Sequence, residues 1–174
     1  MALPDLIILG GAPGVGKSTL MSKLRAHFQN PPTIEFSDVR NLYLDSKWER
    51  ASPSEERMAF DILLYALRII LSKGIKPVLL TDFQEQRLLT FQEAFREYRY
   101  RIVTLYAEED ELVRERVIAR DDGFKDHEAA MRWNREVRLR ASLPREDKIR
   151  VDQLSEAAVF ERCLETLRLS NRIP

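Results

Sequence analysis

The residues that announce chemistry first are Gly11-Ala12-Pro13-Gly14-Val15-Gly16-Lys17-Ser18, which follow the pattern G-x-x-x-x-G-K-S. Each residue type answers a physical requirement. Glycines leave out the Cβ, so successive backbone N–H groups can converge on phosphate oxygens. A helix beginning at Lys17 would point the positive end of its dipole at the same anion. The lysine ammonium would reach the outer phosphates, and the Ser18 hydroxyl would ligate magnesium. Thr19 continues the same helix start. The pattern therefore predicts a site for a nucleoside triphosphate, ATP or another, with Mg2+.

A second acidic group should approach such a metal from a neighbouring strand. Pro77-Val78-Leu79-Leu80-Thr81 is an apolar run closed by Asp82, which would hold the magnesium through a water. Positive charge sits further along. Arg116 and Arg120 are four apart and share a helix face, as do Arg132 and Arg135 on the next helix. The polar turn Asp121–Asp126 separates the two pairs. Guanidinium-bearing arms joined by a segment too polar to pack predict a lid over residues 116–140, closing on a transferring phosphoryl group. Arg114, Arg138 and Arg140 read as surface or ion-pair residues, and His127 as an exposed residue at a helix start.

These residues need a scaffold, and the chain alternates strands with helices. Leu6–Leu9 is a buried strand leading into the glycine loop, and a helix runs from Lys17 to Phe28 with Leu20, Leu24 and Phe28 on one face. Thr33–Phe36 is a second strand, followed by a polar stretch holding Asp38, Arg40 and Trp48. Ser52, Pro53 and Glu55 spell a capping box. The helix they open carries an apolar face with Met58, Ile62, Tyr65 and Ile69, and Gly74 ends it. Strands at Pro77–Thr81 and Arg101–Tyr106 flank a helix through Leu88, Phe91, Phe95 and Tyr98. After the lid come a connector over Ser142–Glu146, a fifth strand at Lys148–Val151 and a terminal helix capped by Ser155. Five alternating strands imply a three-layer α/β fold with a parallel sheet covered on both faces.

Composition narrows the class. The 174 residues are 44% hydrophobic and 32% charged, and 28 Lys+Arg balance 28 Asp+Glu, which suits one domain over residues 1–174. A protein that tracks long nucleic acid usually carries a basic excess. Cys163 is the only cysteine, so neither an internal disulfide nor a cysteine-based metal site can form; it reads as half-buried. The apolar runs are too short for a membrane span, and Pro4 and Asp5 interrupt any leader, which predicts a cytoplasmic protein.

Together, Gly11–Ser18, Ser37-Asp38-Val39-Arg40, Thr81-Asp82, Arg116–Arg120 and the strand end Val151-Asp152 resemble the small P-loop kinases related to nucleoside monophosphate kinases, closest in pattern to the kinase module of polynucleotide kinases. The resemblance implies a five-stranded sheet in the order 2-3-1-4-5 and transfer of the γ-phosphoryl group of ATP. It implies that Arg116 packs on the adenine, that Arg120 contacts transferred phosphate, and that Asp152-Gln153-Leu154 borders the base. It also places the acceptor over the second strand end. There Asp38 matches the carboxylate that takes the hydroxyl proton, and Arg40 an arginine gripping an anionic part of the acceptor. Relatives commonly space these two as D-x-x-R; here one residue separates them, and an arginine-anchored alignment puts Ser37 at the base position. Arg87 is a further acceptor-pocket candidate, as are Tyr43 and Trp48, whose first reading is packing beneath a loop; Arg132 and Arg135 would reach the acceptor from the lid. A small-molecule hydroxyl or phosphate is the first reading for the acceptor. A nucleic-acid 5′-hydroxyl is the second, supported by the basic density from Arg132 to Arg150, and a regulatory nucleotide-binding module without phosphotransfer the third.

Overall fold

The computed structural model describes residues 3–42, 52–81, 85–121 and 123–169. β1 (Leu6–Gly10) is buried along its whole length because it lies at the centre of the sheet, between β3 (Val78–Thr81) and β4 (Tyr100–Tyr106). β2 (Thr33–Glu35) forms one edge and β5 (Glu146–Arg150) the other, giving the order β2-β3-β1-β4-β5. Every pairing is parallel, with Leu6 opposite Val78 and Tyr100, and Leu9 opposite Thr81 and Val103.

Strand alternation splits β1 between two cores. Ile7 and Leu9 face one layer, built from α1 (Lys17–His27), α5 (Asp110–Ile118), α6 (His127–Leu139) and α7 (Glu156–Leu169). Leu6 and Ile8 face the other, built from α2 (Phe36–Asn41), α3 (Pro53–Ser72) and α4 (Glu85–Ala94). Each of these fully buried aliphatic side chains contributes roughly 2 kcal/mol. No helix among the described residues is long and apolar enough to cross a membrane.

Two helices are shorter than the sequence suggests: α4 stops at Ala94, short of Phe95 and Tyr98, and α5 at Ile118, so Arg120 lies outside the helix that carries Arg116. Beyond these shifted ends, the structure departs from the sequence reading at four points. The start of the polar stretch after β2 is the short helix α2, which forms because Phe36 and Val39, three apart, turn the same way into the core. β5 begins at Glu146, not at Lys148. Glu146 has the polarity of a connector but is a buried strand residue. Its carboxylate accepts from Thr104 Oγ1 (2.5 Å), both Arg140 amino groups (2.6 Å each) and the Leu143 N–H (2.7 Å). Burial alone would raise its pKa; Arg140 and the other donors together bring it below the usual glutamate range. Cys163 is fully buried where half-burial was expected, and burial pushes its thiol up to about 12.

The fourth departure concerns α3. Its start follows the sequence signal: Glu55 N–H donates to Ser52 Oγ (3.3 Å) and Ser52 N–H to Glu55 Oε2 (2.6 Å), with Pro53 in the first turn. Its buried face is Ala59, Phe60, Leu63, Leu67 and Leu71. Met58, Ile62, Tyr65 and Ile69, expected to pack inward, are instead 46%, 40%, 70% and 62% exposed. The helix has two apolar faces, and the one bearing Phe60 meets Phe36 and Phe91 edge-on at 6.0 and 5.3 Å.

Candidate active site

Parallel strands deliver their carboxyl ends to one edge of the sheet, and the candidate residues gather along it. β1 runs straight into the glycine loop. Gly11 has φ 122°, and a Cβ there would lie 2.4 Å from the Leu105 carbonyl oxygen, so only glycine lets the loop leave between β1 and β4. Gly16 has φ 98° and caps α1 in the left-handed region, with no side-chain cap and no acidic residue in the first turn. A Cβ at Gly16 would meet nothing within 4 Å. The first N–H groups of α1 thus open onto an uncrowded cradle with a positive dipole end, which fits an anion. Ser18 and Thr19 are exposed at that helix start, and Lys17 is half-buried.

Lys17 Nζ donates to Gly11 O (2.9 Å) and Ala12 O (3.0 Å) and lies 5.9 Å from the centre of the Trp133 ring. Trp133, on α6, is a neighbour of the loop that sequence reasoning did not single out; an aromatic on an arginine-rich helix gives no separate signal. The residue after it, Asn134, is buried. Its side chain donates to Ala107 O and Asp110 and accepts from Ala107 N–H, which locks α6 against the end of β4. α5 packs directly on the glycine loop. Val113 O is 3.0 Å from where a Gly14 Cβ would stand, and Arg116 Nη1 donates to Gly14 O at 3.4 Å. Arg120, near the end of the same arm, is half-buried, and its carbonyl accepts from Lys125 Nζ.

The remaining arginines of this region are mostly engaged inside the chain. Arg135 pairs with Asp110 (2.6 Å), Arg138 approaches the same carboxylate at 3.6 Å, and Arg140 is committed to Glu146. Arg145 lies over Tyr100, and Arg150 lies 3.3 Å from Asp152. Arg132 is exposed and has no ion pair among the described residues. Asp152 is buried, and its carboxylate accepts from the N–H groups of Glu108 (2.6 Å) and Glu109 (3.1 Å). Burial opposes its ionisation, but these donors and Arg150 together hold its pKa down. That side chain ties the end of β5 to the start of α5, so the carboxylate is spent on the fold.

At the other end of the edge, α2 presents Asp38 exposed, Ser37 half-buried and Arg40 half-buried. Arg40 Nε lies 2.5 Å from Glu56 Oε1, and Arg87 Nη2 lies 2.5 Å from Glu56 Oε2. Arg87 also stacks over Phe36 at 4.2 Å, and its burial lowers its pKa. Two guanidiniums thus share one carboxylate. Glu56 is the piece that the sequence pattern did not reveal, since it lies sixteen residues beyond Arg40 in the first turn of another helix. Asp82, Tyr43 and Trp48 lie outside the described residues. Thr81, which precedes Asp82, pairs with Leu9 and ends β3 beside the glycine loop.

No family model and no curated protein sequence matches the chain. Solved structures do. A gluconokinase from Sinorhizobium meliloti 1021 superposes with a TM-score of 0.72 at 18% identity, over 98% of this chain and 96% of that one. A sugar kinase from a Janibacter species gives 0.68 at 15% identity, over 95% of each chain. A chain of the Pnkp1/Rnl/Hen1 RNA repair complex gives 0.66 at 19% identity, over 79% of this chain and 45% of that one. At such identities the likeness is one of architecture, and the sheet order and glycine loop agree with it: the chain has the P-loop kinase fold.

Proposed function

We propose that this chain is a single-domain P-loop kinase that moves the γ-phosphoryl group of ATP, with Mg2+, to a hydroxyl or phosphate of a small molecule. The observation that carries the reading is the uncapped, uncrowded start of α1 beside Lys17, facing the same sheet edge as the Arg40–Glu56–Arg87 cluster. A donor cradle and an acceptor grip on one edge suit an in-line transfer, in which the protein chiefly positions groups and neutralises charge.

In this reading Gly11–Thr19 hold the triphosphate, and Lys17 exchanges its two carbonyl partners for phosphate oxygens. Arg116 lies along the nucleotide, and Arg120, with Arg132 from α6, meets the transferring group. Ser18 and Asp82 would hold the magnesium, which when bound supplies charge neutralisation of the phosphate oxygens. Asp38 takes the proton of the acceptor hydroxyl as its oxygen bonds to the γ-phosphorus. The bond from that phosphorus to the bridging oxygen breaks, and ADP leaves with the electron pair. With a phosphate acceptor the proton step drops out and Arg40 and Arg87 orient the anion. Arg135, held by Asp110, serves by fixing α6.

The small-molecule reading is favoured over a nucleic-acid 5′ end because four of the six arginines that supported the latter are held by Asp110, Glu146 and Asp152 within the chain. Incubating the protein with γ-labelled ATP and, separately, a metabolite pool and a 5′-hydroxyl oligonucleotide decides it. A labelled small molecule is expected. Label on the oligonucleotide alone selects the nucleic-acid reading, and ATP binding with no transfer to either leaves a regulatory module.

A further inference from the structure

The face of α3 turned away from the sheet carries Met58, Ile62, Tyr65 and Ile69, spaced four, three and four apart. That spacing makes one continuous stripe, on the side of the helix opposite Phe60, Leu63 and Leu67. A core helix needs one apolar face, so the second is unexplained by folding. A groove of about 540 Å³ flanks its N-terminal half, bordered among the described residues by Pro53, Arg57 and Asp61 beside the stripe. The stripe plays no part in the transfer chemistry assigned above.

We propose that this stripe is a homodimer interface, in which α3 packs antiparallel against α3 of a second copy about a twofold axis. A twofold contact must be self-complementary, and this one is. Reversing the helix about the point between Leu63 and Leu64 sets Met58 opposite Ile69 of the second copy and Ile62 opposite Tyr65. The same reversal brings Asp61 to within two residues of Arg68 of the second copy, an axial offset of about 3 Å that an arginine spans easily. Both are exposed, both lie on the same flank of the stripe, and neither has an ion pair among the described residues. Arg68 borders the α3–α4 cleft with Glu93 and Glu97 and pairs with neither. The twofold makes this bridge twice.

Charges of both signs flank the stripe, where a membrane-surface helix would carry a predominantly basic face. Weighted by exposure, the four side chains offer on the order of 400 Å² per copy, roughly 800 Å² in all, which is below the standard size and suits a weak, reversible contact.

Sedimentation velocity on the full chain, from low to high micromolar concentration, tests this. The wild type is expected to shift from monomer to dimer across the range. Tyr65→Glu with Ile69→Glu should sediment as a monomer throughout, with a melting temperature close to the wild type because both positions are exposed. Asp61→Arg and Arg68→Asp should each weaken the dimer at least several-fold, and the two together should restore it. A wild type that stays monomeric assigns the stripe to a different partner and overturns the proposal. Dimerisation that survives the double glutamate variant, or charge variants that fail to rescue each other, overturns it as well.

Discussion

In the proposed reading the sheet edge has a donor end and an acceptor end, and the two are built on different principles. The donor end is mostly backbone: a glycine loop, the bare start of α1 and Lys17, all within nine consecutive residues. The acceptor end is mostly side chain. Arg40 comes from α2, which also carries the exposed Asp38, Glu56 from the first turn of α3 and Arg87 from α4; the three charged groups Arg40, Glu56 and Arg87 meet only in the folded chain. The difference teaches where each kind of recognition can be read. Binding a triphosphate needs converging N–H groups, which constrain a short run of sequence tightly. Recognising an acceptor needs a few side chains at a point in space, which constrains no run at all.

Lys17→Ala attacks the donor end and should produce the largest change. Loss of the Lys17 ammonium from the cradle lowers γ-phosphoryl transfer by about 1,000-fold, as removal of a preorganised charge-stabilising donor does. Its two contacts with Gly11 O and Ala12 O come from a charged donor and are together worth roughly 3 kcal/mol, so the melting temperature should fall by up to about 10 °C while the fold persists. Retained turnover, measured with γ-labelled ATP, would remove the basis of the donor-end assignment.

Asp38→Asn attacks the acceptor end. If it takes the hydroxyl proton, turnover falls by about 100-fold while the Michaelis constant for ATP stays unchanged. Ser37→Ala is the paired control: a greater loss there moves the base one residue earlier. Asp38 is exposed on a six-residue helix, so neither result is confounded by unfolding.

Glu146→Gln asks what holds the donor end in place. Arg140 ends α6, and Glu146 is its buried counter-charge. Removing that charge takes away the carboxylate that both Arg140 amino groups bind and should cost about 3 kcal/mol at neutral pH, a fall of roughly 6–12 °C in melting temperature for a chain of this length. The pH dependence has a definite sign. Because the folded-state pKa of Glu146 is lowered, its contribution is complete above the unfolded glutamate pKa and is lost as pH falls through the folded value. The gap between wild type and variant should therefore narrow below about pH 4. A gap that is constant from pH 7 to pH 3 would mean that packing, not charge, holds α6.

The same contrast explains what the residues disclosed before folding. The glycine loop, the five strands, their order and the capping box of α3 were legible, because each rests on local spacing or on a resemblance spanning nearly the whole chain. The connector containing Glu146 was misread because its polarity is typical of a loop, and only the distant Thr104 and Arg140 make burial tolerable there. The inward face of α3 was misassigned because period alone cannot choose between two apolar faces; the aromatic cluster of Phe36, Phe60 and Phe91 chose. Glu56 and Trp133 were invisible for the general reason already given, since their partners are remote in sequence.

The smallest expected effect bears most directly on the acceptor. Glu56 neutralises one of the two guanidiniums it holds, at a site where all three side chains are partly exposed, so its net contribution to stability is about 1 kcal/mol. Glu56→Gln should lower the melting temperature by only a few degrees. It should also make the local charge more positive by one. An anionic acceptor then binds several-fold more tightly, an uncharged polyol binds no better, and the Michaelis constant for ATP is unaffected in either case. The acceptor recovered from the labelled pool, titrated against both proteins at two salt concentrations, separates the cases: only the charge effect shrinks as salt rises. Should the constant for ATP shift in step with that of the acceptor, the two ends are one electrostatic unit, and the division between a backbone cradle and a side-chain grip fails.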